Sequence, residues 1–221
     1  GELLSFAYDG LRLWDLGSKT CVATSGKSCD GVILIEPDGI IAWDRGEKEL
    51  RLLDTRLAPI IKLAAHSDNV TGALLLPDRT LLSYSEDGTL RRWDVGKGSC
   101  LNTYRDDAEA VVGAASLSDD CILSWHQDGR LRTWNLHTGF CLLRFGQVGE
   151  KWVGAQTKGA LLLSPQQLVT HDADDFYTWQ LDTGKPLEPV PMDIVRQLLP
   201  QWLAQCAAAA PEMQSLHAGG Y

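Results

Sequence analysis

Through the first 190 residues, apolar and polar positions alternate in short stretches and never hold a helical period for long. "TLLSYS" (80–85) and "CILSWH" (121–126) are rich in leucine and aromatics and too short for helices, so they predict strands. Each runs into a phrase that occurs three times, as "DGLRLWD" (9–15), "DGTLRRWD" (87–94) and "DGRLRTWN" (128–135). Asp-Gly predicts a two-residue hairpin turn, because Gly accepts positive φ and Asp bonds the local backbone. The alternation after it places Leu90 and Arg92 on one face and Arg91 and Trp93 on the other. A Gly-bearing turn and another short strand follow in "VGKGSCLNTY" (95–104) and "LHTGFCLLRF" (136–145). Upstream, "GVILIEPDGI" (31–40), "NVTGALLLPDR" (69–79) and "VVGAASLSDD" (111–120) each read as a strand closed by a turn. Each unit therefore predicts four strands.

Two degenerate copies, "KELRLLD" (48–54) and "DDFYTWQ" (174–180), extend the series. Its anchors Trp14, Leu53, Trp93, Trp134 and Trp179 stand 39, 40, 41 and 45 residues apart. A four-stranded unit of this size cannot bury both faces alone, so the units must stack on one another. The period, the strand count and the "DGxLRLWD" phrase resemble the WD40 repeat family of β-propellers, here in degenerate form and over residues 2 to 190.

The resemblance implies an all-β propeller in residues 1–190, with about five four-stranded blades spanning 2–24, 31–64, 69–105, 110–146 and 151–190. The first blade opens on "ELLSFAYDG" (2–10), its second strand, and so lacks its innermost one. The third repeat places His66, Ser85, Asp87 and Trp93 where that family carries a hydrogen-bonded structural tetrad. The Ser85 position falls on Ala7, His126 and Asp172 in the first, fourth and fifth repeats, and the His66 position on Asp107 in the fourth. Asp9, Asp128 and Asp174 are the corresponding turn acids. Beyond the propeller, Ile194, Val195, Leu198, Leu199, Trp202 and Leu203 fall at helical spacing, so residues 191–221 predict a mostly helical tail. The alternative is a ring-closing strand, since "VRQLLP" (195–200) echoes "VILIEP" (32–37). The abrupt start favours a piece of a larger multidomain protein.

The chemistry adds little that competes with this reading. A formal charge of −9, with basic residues scattered singly, speaks against nucleic-acid binding, and no apolar run approaches the ~20 residues of a membrane-spanning helix. Six cysteines without CxxC spacing predict neither a disulfide framework nor a zinc site, which makes reduced thiols and a cytoplasmic setting the default. Cys21, Cys100 and Cys141 each follow their Trp by seven residues and read as small packing residues. "HDADD" (171–175) has the look of a metal cluster, but its register makes it a polar turn, so no metal and no cofactor is expected. Nucleophile elbows and phosphate loops are absent from the sequence. The expectation is a non-catalytic protein–protein interaction scaffold or sensing module, with further blades or a second copy completing the ring. The alternative is an enzyme at the propeller channel that uses His126, His171 and nearby acids.

Overall fold

The computed structural model describes residues 1–35, 39–106 and 109–187. The short alternating segments form strands that pair with their sequence neighbours, so each sheet is an antiparallel meander. The first holds β1 (Glu2–Ala7), β2 (Gly10–Asp15) and β3 (Thr20–Ser25). The second holds β4 (Gly31–Ile35), β5 (Gly39–Trp43), β6 (Glu49–Leu53) and β7 (Pro59–Ala64), with Leu53 in the anchor position. The third holds β8 (Val70–Leu75), β9 (Leu81–Ser85), β10 (Thr89–Asp94) and β11 (Ser99–Arg105). The fourth holds β12 (Val111–Ser118), β13 (Cys121–His126), β14 (Leu131–Asn135) and β15 (Cys141–Phe145). A short hairpin of β16 (Gln147–Val148) and β17 (Lys151–Trp152) precedes the fifth, which holds β18 (Gly159–Ser164), β19 (Gln167–His171), β20 (Phe176–Gln180) and β21 (Lys185–Pro186).

The fifth sheet begins later than the expected 151. The hairpin turns on Gly149 at φ +59°, Val153 drops into the core, and a short 3-10 turn over Gly154–Gln156 leads into β18. These elements take up the excess in the 45-residue spacing from Trp134 to Trp179. The expected helical tail or closing strand at 191–221 lies outside the described residues, as does Asp107.

The repeated phrase folds as its chemistry dictates. In the third and fourth sheets Asp87-Gly88 and Asp128-Gly129 end three-residue loops, not two-residue ones, with the glycines at φ +77° and +82°. Each loop Asp accepts the backbone N–H two residues on, that of Thr89 at 2.9 Å and that of Arg130 at 2.9 Å. The pairing between third and outer strands shifts register immediately before the anchors Trp14, Leu53, Trp93 and Trp134. The extra residue on each outer strand, Val22, Ile60, Leu101 or Leu142, is left at least half exposed.

Packing between sheets follows chain order. The Trp-bearing face of each sheet meets the preceding sheet, and the opposite face meets the next. Leu11 and Leu13 pack against Ile40, Ala42 and Leu53; Ile41, Leu50 and Leu63 against Val70, Leu81 and Trp93. Leu82, Leu90 and Tyr104 then pack against Ile122 and Trp134, and Leu123, Leu131 and Phe145 against Leu168 and Trp179. The innermost strands β4, β8, β12 and β18 are neighbours in series. Between two of them Thr71 Oγ1 donates to the Val111 carbonyl at 2.8 Å, and further out Tyr104 OH donates to the Leu136 carbonyl at 2.6 Å.

Candidate functional site

In the third sheet, polar side chains that the sequence singles out converge on the buried anchor Trp93. Trp93 is 2% exposed, and its indole N–H donates to Ser83 Oγ at 2.8 Å. Ser83 Oγ lies 2.7 Å from His66 Nε2, and His66 Nδ1 lies 3.0 Å from Asp87 Oδ2. A hydroxyl has one proton, so Ser83 accepts from Trp93 and donates to Nε2, which leaves Nδ1–H to donate to Asp87. Burial alone would raise the Asp87 carboxyl. His66, the Thr89 hydroxyl and the Ser67 amide outweigh it and hold the acid well below the usual range.

The serine of this chain is Ser83, which corrects the expected Ser85. Ser85 is buried too, but its hydroxyl donates to the Asp68 carbonyl and accepts the Asp87 amide, so it closes the turn. The pairing register explains the difference. Trp93 sits opposite Leu81 and Arg91 opposite Ser83, so Ser83 lies diagonally within reach of the indole, while Ser85 is two residues further along.

The same register replaces Ala7, His126 and Asp172 as acceptors in the other sheets. Trp14 donates to Ser5 at 2.9 Å, Trp134 to Ser124 at 2.8 Å and Trp179 to Thr170 at 2.8 Å. A hydroxyl nine or ten residues before each Trp is the sequence signal that reveals them. In the second sheet both partners change together. Leu53 stands at the anchor, and Ala42 occupies the hydroxyl position, with both side chains buried.

His126 is fully buried within β13. Its Nε2 lies 2.7 Å from Ser124 Oγ and its Nδ1 3.2 Å from the Glu109 carbonyl, which fixes Nδ1 as the protonated nitrogen of the neutral ring. Burial, and then the charge of Arg132, push its pKa down to about 4. Arg132 is itself 1% exposed and is held by Asp128 at 2.7 Å and Asp106 at 3.0 Å, with Arg144 on the outer strand sharing Asp106. Asp128 is thus both turn acid and ion-pair partner, whereas Asp9 pairs with the exposed Arg12.

In the 171–175 cluster the turn acid is Asp172 and not the expected Asp174. Asp172 Oδ1 accepts the amides of Asp174 and Asp175 at 2.9 and 2.8 Å, and Oδ2 accepts the Tyr177 hydroxyl at 3.1 Å, with Lys151 Nζ 3.7 Å away. Partial burial would raise this carboxyl, but the two amides, Tyr177 and Lys151 together lower it. Asp172→Ala is expected to cost about 1–2 kcal/mol in urea denaturation, while Asp174→Ala stays within about 0.5 kcal/mol. Equal effects from the two substitutions would overturn the assignment. His171 bonds the Asp172 carbonyl and packs on Phe176. It and His126 therefore belong to separate sheets, each engaged within its own. Among the described residues, no cluster of three or more His, Cys, Asp or Glu has metal-binding geometry. Gly46, Glu47, Lys48 and Glu49 of the "DRGEKE" (44–49) turn line an open depression with Ala64, Ala65 and His66. Cys21 and Cys100 are exposed free thiols on the outermost strands of their sheets.

No protein-family model matches the sequence. The chain is 32% identical over 104 residues to the DENN domain and WD repeat-containing protein SCD1 of Arabidopsis thaliana, across 45% of this chain and 9% of that protein. It is 31% identical over 113 residues to the target of rapamycin complex subunit LST8 of Saccharomyces cerevisiae, across 48% of this chain and 37% of that protein. A crystal structure of RRP9 WD40 repeats superposes with a TM-score of 0.63 at 21% identity, covering 84% of this chain and 58% of that one. Repeated Trp–hydroxyl locks, the four-stranded units and these relatives agree. The chain carries WD40-type repeats. The WD40 sheets span well under half the length of either curated relative. The computationally designed Ika8 protein gives a TM-score of 0.65 at 16% identity and shares the fold alone. No helix among the described residues is long and apolar enough to cross a membrane.

Proposed function

We propose that this WD40 array is a non-catalytic protein–protein interaction scaffold or sensing module within a larger multidomain protein, and that His66, Ser83, Asp87 and Trp93 hold sheets together without binding a ligand. One observation carries the reading. His66, Ser83, His126, Ser124 and Thr170 are engaged in hydrogen bonds inside the array, while large apolar side chains stand out on the outer strands. Leu101, Phe140 and Leu142 are 50%, 71% and 58% exposed on the third and fourth blades. Asn102 on β11 donates to the His137 carbonyl in the turn before Phe140, so the residues belong to one rim. Apolar surface of this kind is left bare mainly where another macromolecule covers it. The names of the relatives are in keeping with this: LST8 is a subunit of a complex, and SCD1 joins WD repeats to a DENN domain.

The test is affinity capture with the wild-type chain and with a Leu101→Lys, Phe140→Lys, Leu142→Lys variant. The variant should keep the parent melting temperature within a few degrees, because these side chains bury little area, and lose about tenfold of its specifically captured protein. Equal recovery by both chains would rule out this rim.

A further inference from the structure

The first four blades each carry an arginine two residues before the anchor and on the anchor's face of the strand: Arg12, Arg51, Arg91 and Arg132. Three of these are held. Arg12 donates to Asp9, Arg51 to the Ser28 carbonyl at 2.8 Å, and Arg132 to Asp106 and Asp128. Arg91 differs: its Nε is buried with no hydrogen-bond partner among the described residues, and its bond from Nη1 to Thr103 Oγ1 is long, at 3.4 Å.

The fourth blade shows what the third lacks. Arg91 pairs across its sheet with Ser83 and Thr103 as Arg132 pairs with Ser124 and Arg144, so the two arginines occupy one position. Arg132 has one carboxylate from the turn of its own blade and a second, Asp106, from the end of the preceding one. Asp106 stands two residues beyond Tyr104, accepts from Arg132 Nε at 3.0 Å and takes Arg144 Nη2 at 2.6 Å. In the third blade the turn acid is Asp87, and its oxygens are taken by His66, Ser67 and Thr89. The Asp106 position falls on Ala65, two residues beyond Leu63, which pairs with Leu50 as Tyr104 pairs with Leu90. Glu49, opposite Ala64, is bonded to Lys62 at 2.8 Å. Ala64 and Ala65 are small and exposed, and Thr103 and Arg105 are exposed on the same face of β11. A guanidinium therefore lies beside a hydroxyl and open space, without an acid.

We propose, on the reading of the array as an interaction scaffold, that Arg91 and Thr103 bind an aspartate or glutamate side chain of a partner polypeptide, in the place that Asp106 takes against Arg132. The site is specified by the molecule's own equivalent, which holds a carboxylate. The guanidinium supplies charge-assisted bonds, and the Thr103 hydroxyl donates a further one. A swing of the Arg91 side chain about its outer torsions brings Nε to the incoming carboxylate, so binding satisfies a donor that is otherwise stranded. Arg105, on the same face, adds positive charge.

The probes are blocked tripeptides, acetyl-Gly-Asp-Gly-amide and its asparagine and phosphoserine counterparts, titrated at fixed salt into the full 221-residue chain carrying nitrogen-labelled arginine. The aspartate peptide should shift the Arg91 Nε–H resonance saturably, with a Kd of about 1–10 mM, and leave that of Arg132 in place. The asparagine peptide should bind about tenfold more weakly or less. Ala65→Asp supplies the acid from within: it should raise the melting temperature by about 2–4 °C and weaken the aspartate peptide about tenfold, and Ala65→Asn should do neither. No saturable shift, equal affinity of the aspartate and asparagine peptides, or unchanged affinity in Ala65→Asp would each overturn the site. Phosphoserine bound more than about tenfold tighter than aspartate would overturn the carboxylate as its ligand. A failed titration leaves the captured protein lost by the Leu101, Phe140 and Leu142 variant as it is, so this site and the scaffold reading fall separately.

Discussion

Trp179→Leu is expected to cost about 3 kcal/mol of folding free energy, and Thr170→Val about 2 kcal/mol, but the double variant should cost less than their sum. Both side chains are fully buried, and the indole N–H has Thr170 Oγ1 as its acceptor at 2.8 Å. Trimming the indole loses packing against Phe145, whose ring centroid lies 5.3 Å away, and leaves a cavity. Removing the hydroxyl alone leaves an indole N–H buried without a partner, and the desolvation cost of that donor is then uncompensated. When both change, no polar group is stranded, and the site becomes like the natural Leu53–Ala42 pair of the second blade. Urea midpoints of the four proteins give the coupling. Additivity within about 0.5 kcal/mol would show that the indole bond has no energetic role.

Stability should fall by about 3 kcal/mol between neutral pH and pH 4 through His126 alone. The folded protein holds this ring neutral, with a pKa down to about 4, against an ordinary value near 6.5 in the unfolded chain. Between those values the unfolded state binds more protons, so stability rises with pH through the window and is fully present above about 6.5. Below about 4 both states are protonated and the loss is complete. Each pKa unit of difference is worth about 1.4 kcal/mol, which sets the magnitude. The cause is geometric. Nε2 is committed to accepting from Ser124, and a second ring proton would have to point into that bond, beside the Arg132 cation and away from water. His126→Gln removes the titration and keeps an acceptor for Ser124. Its denaturation midpoint should vary with pH between 4 and 6.5 by about one bound proton less than wild type. An unchanged slope would sink this account.

Much of the fold was legible because the propeller writes its turns and anchors into the sequence. Asp-Gly, an alternating strand and a Trp recur at about 40 residues, and each is enforced locally by φ, by side-chain alternation or by burial. What could not be read was set by pairing between strands. Ser83 and Ser85 lie on the same face of β9, two residues apart, and only the pairing of Leu81 with Trp93 decides which one meets the indole. Asp172 and Asp174 pose the same difficulty, because a four-residue turn allows either carboxylate to cap it. The expected start of the fifth blade at 151 follows the spacing of the earlier repeats, which carries no sign of the hairpin inserted before β18. The anchors announced themselves by type; their partners were hidden in register.

The Leu53–Ala42 contact gives the array two kinds of seam that answer temperature differently. A seam made only of hydrocarbon weakens on cooling, since its driving force is the release of ordered water. The sheets anchored by Trp93, Trp134 and Trp179 carry, behind their seams, an indole–hydroxyl hydrogen bond that does not fade in that way. The second sheet, whose anchor has no such bond, is therefore expected to loosen first on cooling.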